Sequence, residues 1–188
     1  MRRLLHRAPP PLPALVLLLG LSSNATAQAT ERPWSIQLTG GIVLPTGEYA
    51  NGTNPGLGLS GSVGYALTPD WSLLASFNAG FLKGDLGPDW NIYTYFLKAA
   101  YDTGEGDTKW RILVPLGAGA VTFAPDSDAI SSNTYFGLNS GLMFQYYFNP
   151  RLAFTFDGLV TFVFASKSEI GSDTLWLFPL GAGLLLRF

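Results

Sequence analysis

Large apolar side chains recur at every second position through much of the chain, and the stretch "GLMFQYYFNPRLAFTFDGLVTFVF" (141–164) shows it most densely. A repeat of two is the signature of a β-strand, whose successive side chains point to opposite faces. In 133–148 the even positions hold Phe136, Leu138, Leu142, Phe144, Tyr146 and Phe148, against Asn139, Gly141 and Gln145 on the odd ones. In 151–165 Leu152, Phe154, Phe156, Val160, Phe162 and Phe164 oppose Thr155, Asp157 and Thr161. The same contrast sets Trp71, Leu73, Phe77 and Phe81 against Ser72, Ser76 and Asn78, and Leu57, Leu59, Val63 and Tyr65 against Gly58, Ser60, Ser62 and Gly64. Turn-rich segments cut the chain into eight such runs, at 34–44, 57–67, 71–82, 91–101, 109–123, 133–148, 151–165 and 174–188. Each is long enough to supply the ~9–11 residues that a tilted strand needs to cross a bilayer.

One face of this sheet is bulky and the other is mostly glycine, serine, threonine and amide. A soluble barrel would need the bulk inside and charged residues outside. Here the small face carries hardly any lysine or glutamate, and one narrow lumen cannot hold all those rings. The bulky face is therefore expected to meet lipid. The connections agree: "PTGEYANGTNPG", "KGDLGPDW", "APDSDAISS" and "SKSEIGSD" are the longer ones, and between them lie "TPD", "DTGEGDT" and "NP", two of which are very short. Short turns on one side and longer loops on the other are the habit of bacterial membrane barrels, with the short turns in the periplasm. The tryptophans fall near strand ends, Trp34, Trp71 and Trp110 on the short-turn side and Trp90 and Trp176 on the other, as an aromatic girdle at both interfaces requires. The expected fold is all-β: a single eight-stranded antiparallel up-and-down transmembrane β-barrel.

Composition narrows the setting. The first 27 residues read as a signal peptide, with Arg2, Arg3 and Arg7, an apolar run from Leu12 to Leu21, and the small-x-small site Ala25-Thr26-Ala27. The apolar run is too short for a membrane helix, so residues 28–188 are expected to form the barrel domain. Without the leader, eight basic side chains remain against thirteen acidic ones, a net charge of about −5 with no basic patch for nucleic acid. The chain has no cysteine, and its one histidine, His6, leaves with the leader. The commonest general base and the commonest activated nucleophile are thus missing from the mature chain, which argues against catalysis. Asp126 and Asp128 form a carboxylate pair in a loop, but two carboxylates without further ligands hold calcium weakly. No metal and no cofactor is expected.

On this register the inner face carries Gln37, Lys98, Arg111, Asn139, Gln145, Asp157 and Arg187. An eight-stranded barrel is just wide enough for its own side chains, so these residues are expected to plug it. A buried charge needs a partner; the expected network has Asp157, the one acid at mid-depth, facing Arg111, Lys98 or both, with Arg187 nearby. "VPLGAGAV" (114–121) and "FPLGAGLL" (178–185) each put a proline inside a strand. Proline cannot donate to a ladder, so bulges are expected at Pro115 and Pro179, with Gly117, Gly119, Gly181 and Gly183 facing inward to make room.

The chain resembles the small, eight-stranded, porin-like outer-membrane β-barrel proteins of Gram-negative bacteria. The resemblance spans the mature chain and rests on "GGIVLPTGEYANG", "GSVGYALTPDWSL", "FQYYFNPRLAFTF" and the terminal "LGAGLLLRF". It implies an outer-membrane location after export, and contact with outer-membrane lipid and lipopolysaccharide. It also implies delivery by the outer-membrane assembly machinery, which would read the last strand through Leu184, Leu186 and Phe188, and a monomeric state. Function stays open among three classes: a structural barrel with a plugged lumen and short surface loops, a minor channel for small apolar solutes, or a secreted soluble barrel binding a hydrophobic ligand.

Overall fold

The computed structural model describes residues 32–46, 52–85, 88–104, 109–127, 131–165 and 175–188. The leader with its His6, and Asp128, lie outside the described residues. Eight strands follow in order: β1 (Trp34–Thr46), β2 (Thr53–Ala66), β3 (Trp71–Gly84), β4 (Trp90–Asp102), β5 (Trp110–Pro125), β6 (Asn133–Asn149), β7 (Leu152–Phe164) and β8 (Leu175–Arg187). Each pairs antiparallel with the next, and β8 returns to β1, so the sheet closes with no free edge. Closure is what lipid demands, because every ladder hydrogen bond then stays within the wall. No helix occurs among the described residues.

The tight turns are held by side chains close in sequence. Thr68 Oγ1 accepts from the backbone N–H of Trp71 at 3.0 Å, and Asn149 Oδ1 accepts from those of Arg151 and Leu152 at 2.9 and 3.0 Å. Both are the local side-chain-to-backbone bonds that favour Thr and Asn at turns. These turns fix the parity of the next strand and so set which side chains look outward.

The bulky parity faces out. Leu57 is 71 % exposed, Leu38 67 % and Phe156 47 %, while inward Leu175, Val163 and Thr155 are at 0 %. A soluble protein would not leave a continuous belt of Leu, Phe and Trp uncovered. Four of the five tryptophans belong to this outer face. Trp34 packs edge-on to Tyr65 and Trp71 tilts against Tyr101, while Trp110 tilts against Phe144 and Tyr146, all at the rim that carries the chain ends. Trp176 packs against Phe162 at the opposite rim. Trp90 departs from the expected girdle. It lies inside, against buried Ile92, Phe123 and their neighbours, because the parity that turns Lys98 into the lumen turns every even residue of β4 the same way.

The prolines also depart from expectation. Neither Pro115 nor Pro179 makes a bulge. Pairing between β5 and β6 lapses after Leu113↔Met143 and resumes at Leu116↔Ser140 without a change of register, and β7–β8 does the same between Gly158↔Leu180 and Thr161↔Leu177. The missing N–H therefore opens a gap rather than inserting a residue. Gly141, opposite Pro115, has φ +144°, the one positive φ among the described residues, and Ser140 Oγ donates to the Pro115 carbonyl at 3.0 Å. A bulge does occur beside a third proline, Pro55, where the β2–β3 register shifts between Asn54 and Leu57. A further irregularity falls at Tyr147/Asn149.

Candidate functional site: the barrel lumen

The inward parity fills the lumen in three levels. At the rim with the chain ends, Arg111 Nη1 donates to Asp102 Oδ2 at 2.8 Å. The guanidinium carbons of Arg111 and Arg187 stand 5.5 and 4.9 Å from the centroid of the Tyr147 ring, and the Tyr147 hydroxyl donates to Gln145 Oε1 at 2.8 Å. One ring thus carries two cations, with a carboxylate beside one of them. Such contacts each contribute on the order of 0.5–2 kcal/mol, more as water is excluded.

At mid-depth, Asp157 accepts from Gln37 Nε2 and, at 2.9 Å, from Thr155 Oγ1. Lys98 is 3 % exposed, its Nζ 5.9 Å from the centroid of the Phe96 ring. It attracts Asp157 across the lumen, but among the described residues the two form no ion pair within 4 Å. Asn78 donates to Thr94, and Asn139 to Thr161 and to the Val160 carbonyl. A cavity of about 30 Å³ lies between Thr39, Ser60, Asn78 and Asp157, enough for an internal water with several polar partners. Gly117 serves the site by its lack of a side chain: a Cβ there would fall 2.5 Å from Lys98 Cγ.

The far third of the lumen is apolar. Val43, Leu82, Ile92, Phe96, Val121, Phe123, Tyr135, Val163, Leu175 and Leu177 form one buried cluster, closed by Trp90 and Ala165. Leu82 is 1 % exposed, Ile92 and Phe123 2 %, and the cavity beside them holds about 20 Å³.

All four charged residues expected inside, Lys98, Arg111, Asp157 and Arg187, face the lumen, but they do not form one network. Arg111 pairs with Asp102, not with Asp157, and lies with Arg187 at the rim. Asp102 belongs to the "DTGEGDT" segment assigned to a turn; its parity with Lys98 was the signal that it points inward. The apolar cluster was also missed. Its trace is the lapse of alternation at the far strand ends, as in Val163 between Phe162 and Phe164, where both faces are apolar because both are covered. Leu184, Leu186 and Phe188 lie on the outer face, about half exposed. Among the described residues no group of His, Cys, Asp or Glu could hold a metal ion.

The family model for the outer membrane protein beta-barrel domain matches residues 14–188. Among solved structures, Neisserial surface protein A is 16 % identical, covers 82 % of this chain and 97 % of its own, and gives a TM-score of 0.68. The N-terminal β-barrel domain of Pseudomonas aeruginosa OprF is 19 % identical over 84 % of this chain and 98 % of its own, TM-score 0.54. Ail, the attachment invasion locus protein of Yersinia pestis, is 17 % identical over 84 % and 100 %, TM-score 0.54. At such identities the likeness is one of fold. No curated protein matches the sequence.

Proposed function

Because the chain belongs to the outer membrane protein β-barrel domain family, we propose that it is a non-catalytic, structural barrel of the bacterial outer membrane whose lumen is shut by its own side chains. The observation that carries this reading is the apolar cluster from Val43 to Leu177, which spans the lumen on the side opposite the chain ends and leaves room for little more than one water. Ions entering from that side would have to cross a dry segment, and the Tyr147 cluster blocks the other mouth. Residues 1–27 act in this reading as the export signal, the rim with the chain ends faces the periplasm, and the longer loops meet lipopolysaccharide. The final strand presents Leu184, Leu186 and Phe188 to the assembly machinery, and the barrel is a monomer.

Single-channel recording in planar bilayers tests the closed lumen. Reconstituted protein is expected to give no stable conductance steps. Regular steps that scale with salt would replace this reading with a channel. Uptake of a small apolar solute by vesicles holding the protein would favour the minor-channel alternative.

A further inference from the structure

The outer wall contains glycines that the barrel does not require. Gly183 and Gly119 face inward, where a Cβ would collide with the backbones of Leu38 and Tyr95. Gly40 and Gly61 face outward, and a Cβ on Gly40 would meet only Leu59 Cδ2 at 3.7 Å, while one on Gly61 would come 3.4 Å from Leu38 Cδ2. Neither has a positive φ. Glycine inside a strand is less stable than alanine, so its presence here suits something outside the barrel that approaches the backbone closely.

These positions form the floor of a trench. Gly40 pairs with Ala182 on β8, and Gly61 lies diagonally beside them on β2. Ile36, Leu59, Phe77 and Leu184 wall a space of about 880 Å³ that runs on to Leu152, the first residue of β7. Nearly all of this lining is apolar. Omitting one side chain on each strand opens a slot roughly 7 Å long on the strand axis, the spacing of two residues. A helix of ~10–12 Å diameter cannot enter it, and a single alkyl chain can. A second copy related by a two-fold axis through the trench would set slot against slot and fill neither.

The Leu152 end carries the complementary charge. Arg151 is exposed in the turn before Leu152, its carbonyl accepts from the Arg187 N–H at 2.7 Å, and its guanidinium forms no ion pair among the described residues. A guanidinium at the membrane interface is suited to hold a phosphate through two hydrogen bonds. We propose that the trench over Gly40, Gly61 and Ala182 holds one acyl chain of a phospholipid from the leaflet on the chain-end side, with its phosphate at Arg151. This rests on the outer-membrane reading above, and makes that lipid an ordered ligand rather than bulk solvent.

The test folds the full-length barrel into vesicles of phosphatidylglycerol, releases it into mild detergent and counts retained lipid by native mass spectrometry. Wild type is expected to keep one phosphatidylglycerol per barrel. Gly40→Leu and Gly61→Leu, which fill the slot from two different strands, are expected to lose it. Arg151→Gln, on an exposed turn, is expected to lower retention about tenfold. Gel mobility before and after heating shows that each variant is folded. A heat-modifiable wild type that keeps no lipid, or folded glycine variants and Arg151→Gln that keep as much as wild type, would overturn the site alone. A wild-type dimer that Gly40→Leu converts to monomer would assign the trench to a second copy instead. Wild type that is soluble without detergent would overturn the membrane reading and the site together.

Discussion

Replacing Phe156 by arginine separates a lipid-bathed wall from a water-bathed one, because the size of the effect differs between them. Phe156 is the fifth of the thirteen residues of β7, lies level with Phe144 and Ala182 on its neighbours, and is 47 % exposed. In a bilayer that depth is near the midplane, where arginine on the outer face of a barrel costs ~2–4 kcal/mol. At ~1.4 kcal/mol per factor of ten, the folding equilibrium falls ~30- to ~700-fold. Trp110, 55 % exposed at the rim, is the internal control: Trp110→Arg is expected to cost only ~0–1 kcal/mol at the interface. In water both changes would be within about 0.5 kcal/mol of neutral. Urea titration of the protein folded in lipid vesicles, followed by tryptophan fluorescence, gives both numbers. Equal costs for Phe156→Arg and Trp110→Arg would refute the depth-dependent solvent on which the fold assignment rests.

Three further outcomes follow from the lumen. Asp102→Asn removes the carboxylate from Arg111; because the Arg111 side chain is 27 % exposed, the expected loss is ~1–3 kcal/mol, below that of a fully buried broken pair, and a double-mutant cycle with Arg111→Met showing no coupling would reject the pairing. Asp157→Leu takes the acceptor from Gln37 and Thr155 and is expected to cost ~1–3 kcal/mol for each buried donor left unpaired, whereas Asp157→Asn, which keeps one acceptor oxygen, should cost clearly less in the same urea titration. Pro115→Val returns an N–H opposite Gly141. Amides at 140–142 are expected to exchange with deuterium faster in wild type than those of the unbroken β3–β4 ladder around Ser76↔Phe96, and to slow in the variant; unchanged exchange would show that the gap costs the wall nothing.

The two proline gaps share one level of the barrel. Gly141 pairs with Leu159, Pro179 with Val43 and Pro115 with Ala100, so a single transverse row crosses both interruptions. The β6–β7 hairpin between them keeps its own Gly141↔Leu159 pair and is joined to the rest of the wall by two ladders that lapse at the same height. Ser140 and Asn139 place side-chain donors on nearby carbonyls. That is how orphaned backbone groups are met where water is scarce.

Strand number, approximate bounds and the outward face were legible from sequence, because the two-residue period is local and each strand carries it alone. The rows of Phe136 to Phe148 and Leu152 to Phe164 needed no partner to show which parity is bulky. The turn residues Thr68 and Asn149 were likewise readable, since their bonds close within three positions. What the tertiary structure decided was every relation across the lumen. Whether Asp157 meets Arg111 or Gln37 depends on the stagger accumulated around eight strands, and no single strand's pattern encodes that shift. The same holds for Trp90, whose place at a strand end suggested the interface while the parity of β4 turned it inward. It holds for Pro115 and Pro179, where pairing lapses without a change of register instead of inserting a residue. The far plug of Leu82, Phe123 and Leu177 was hidden for a related reason: once the barrel closes, both faces at those strand ends are apolar, and alternation no longer marks the inside.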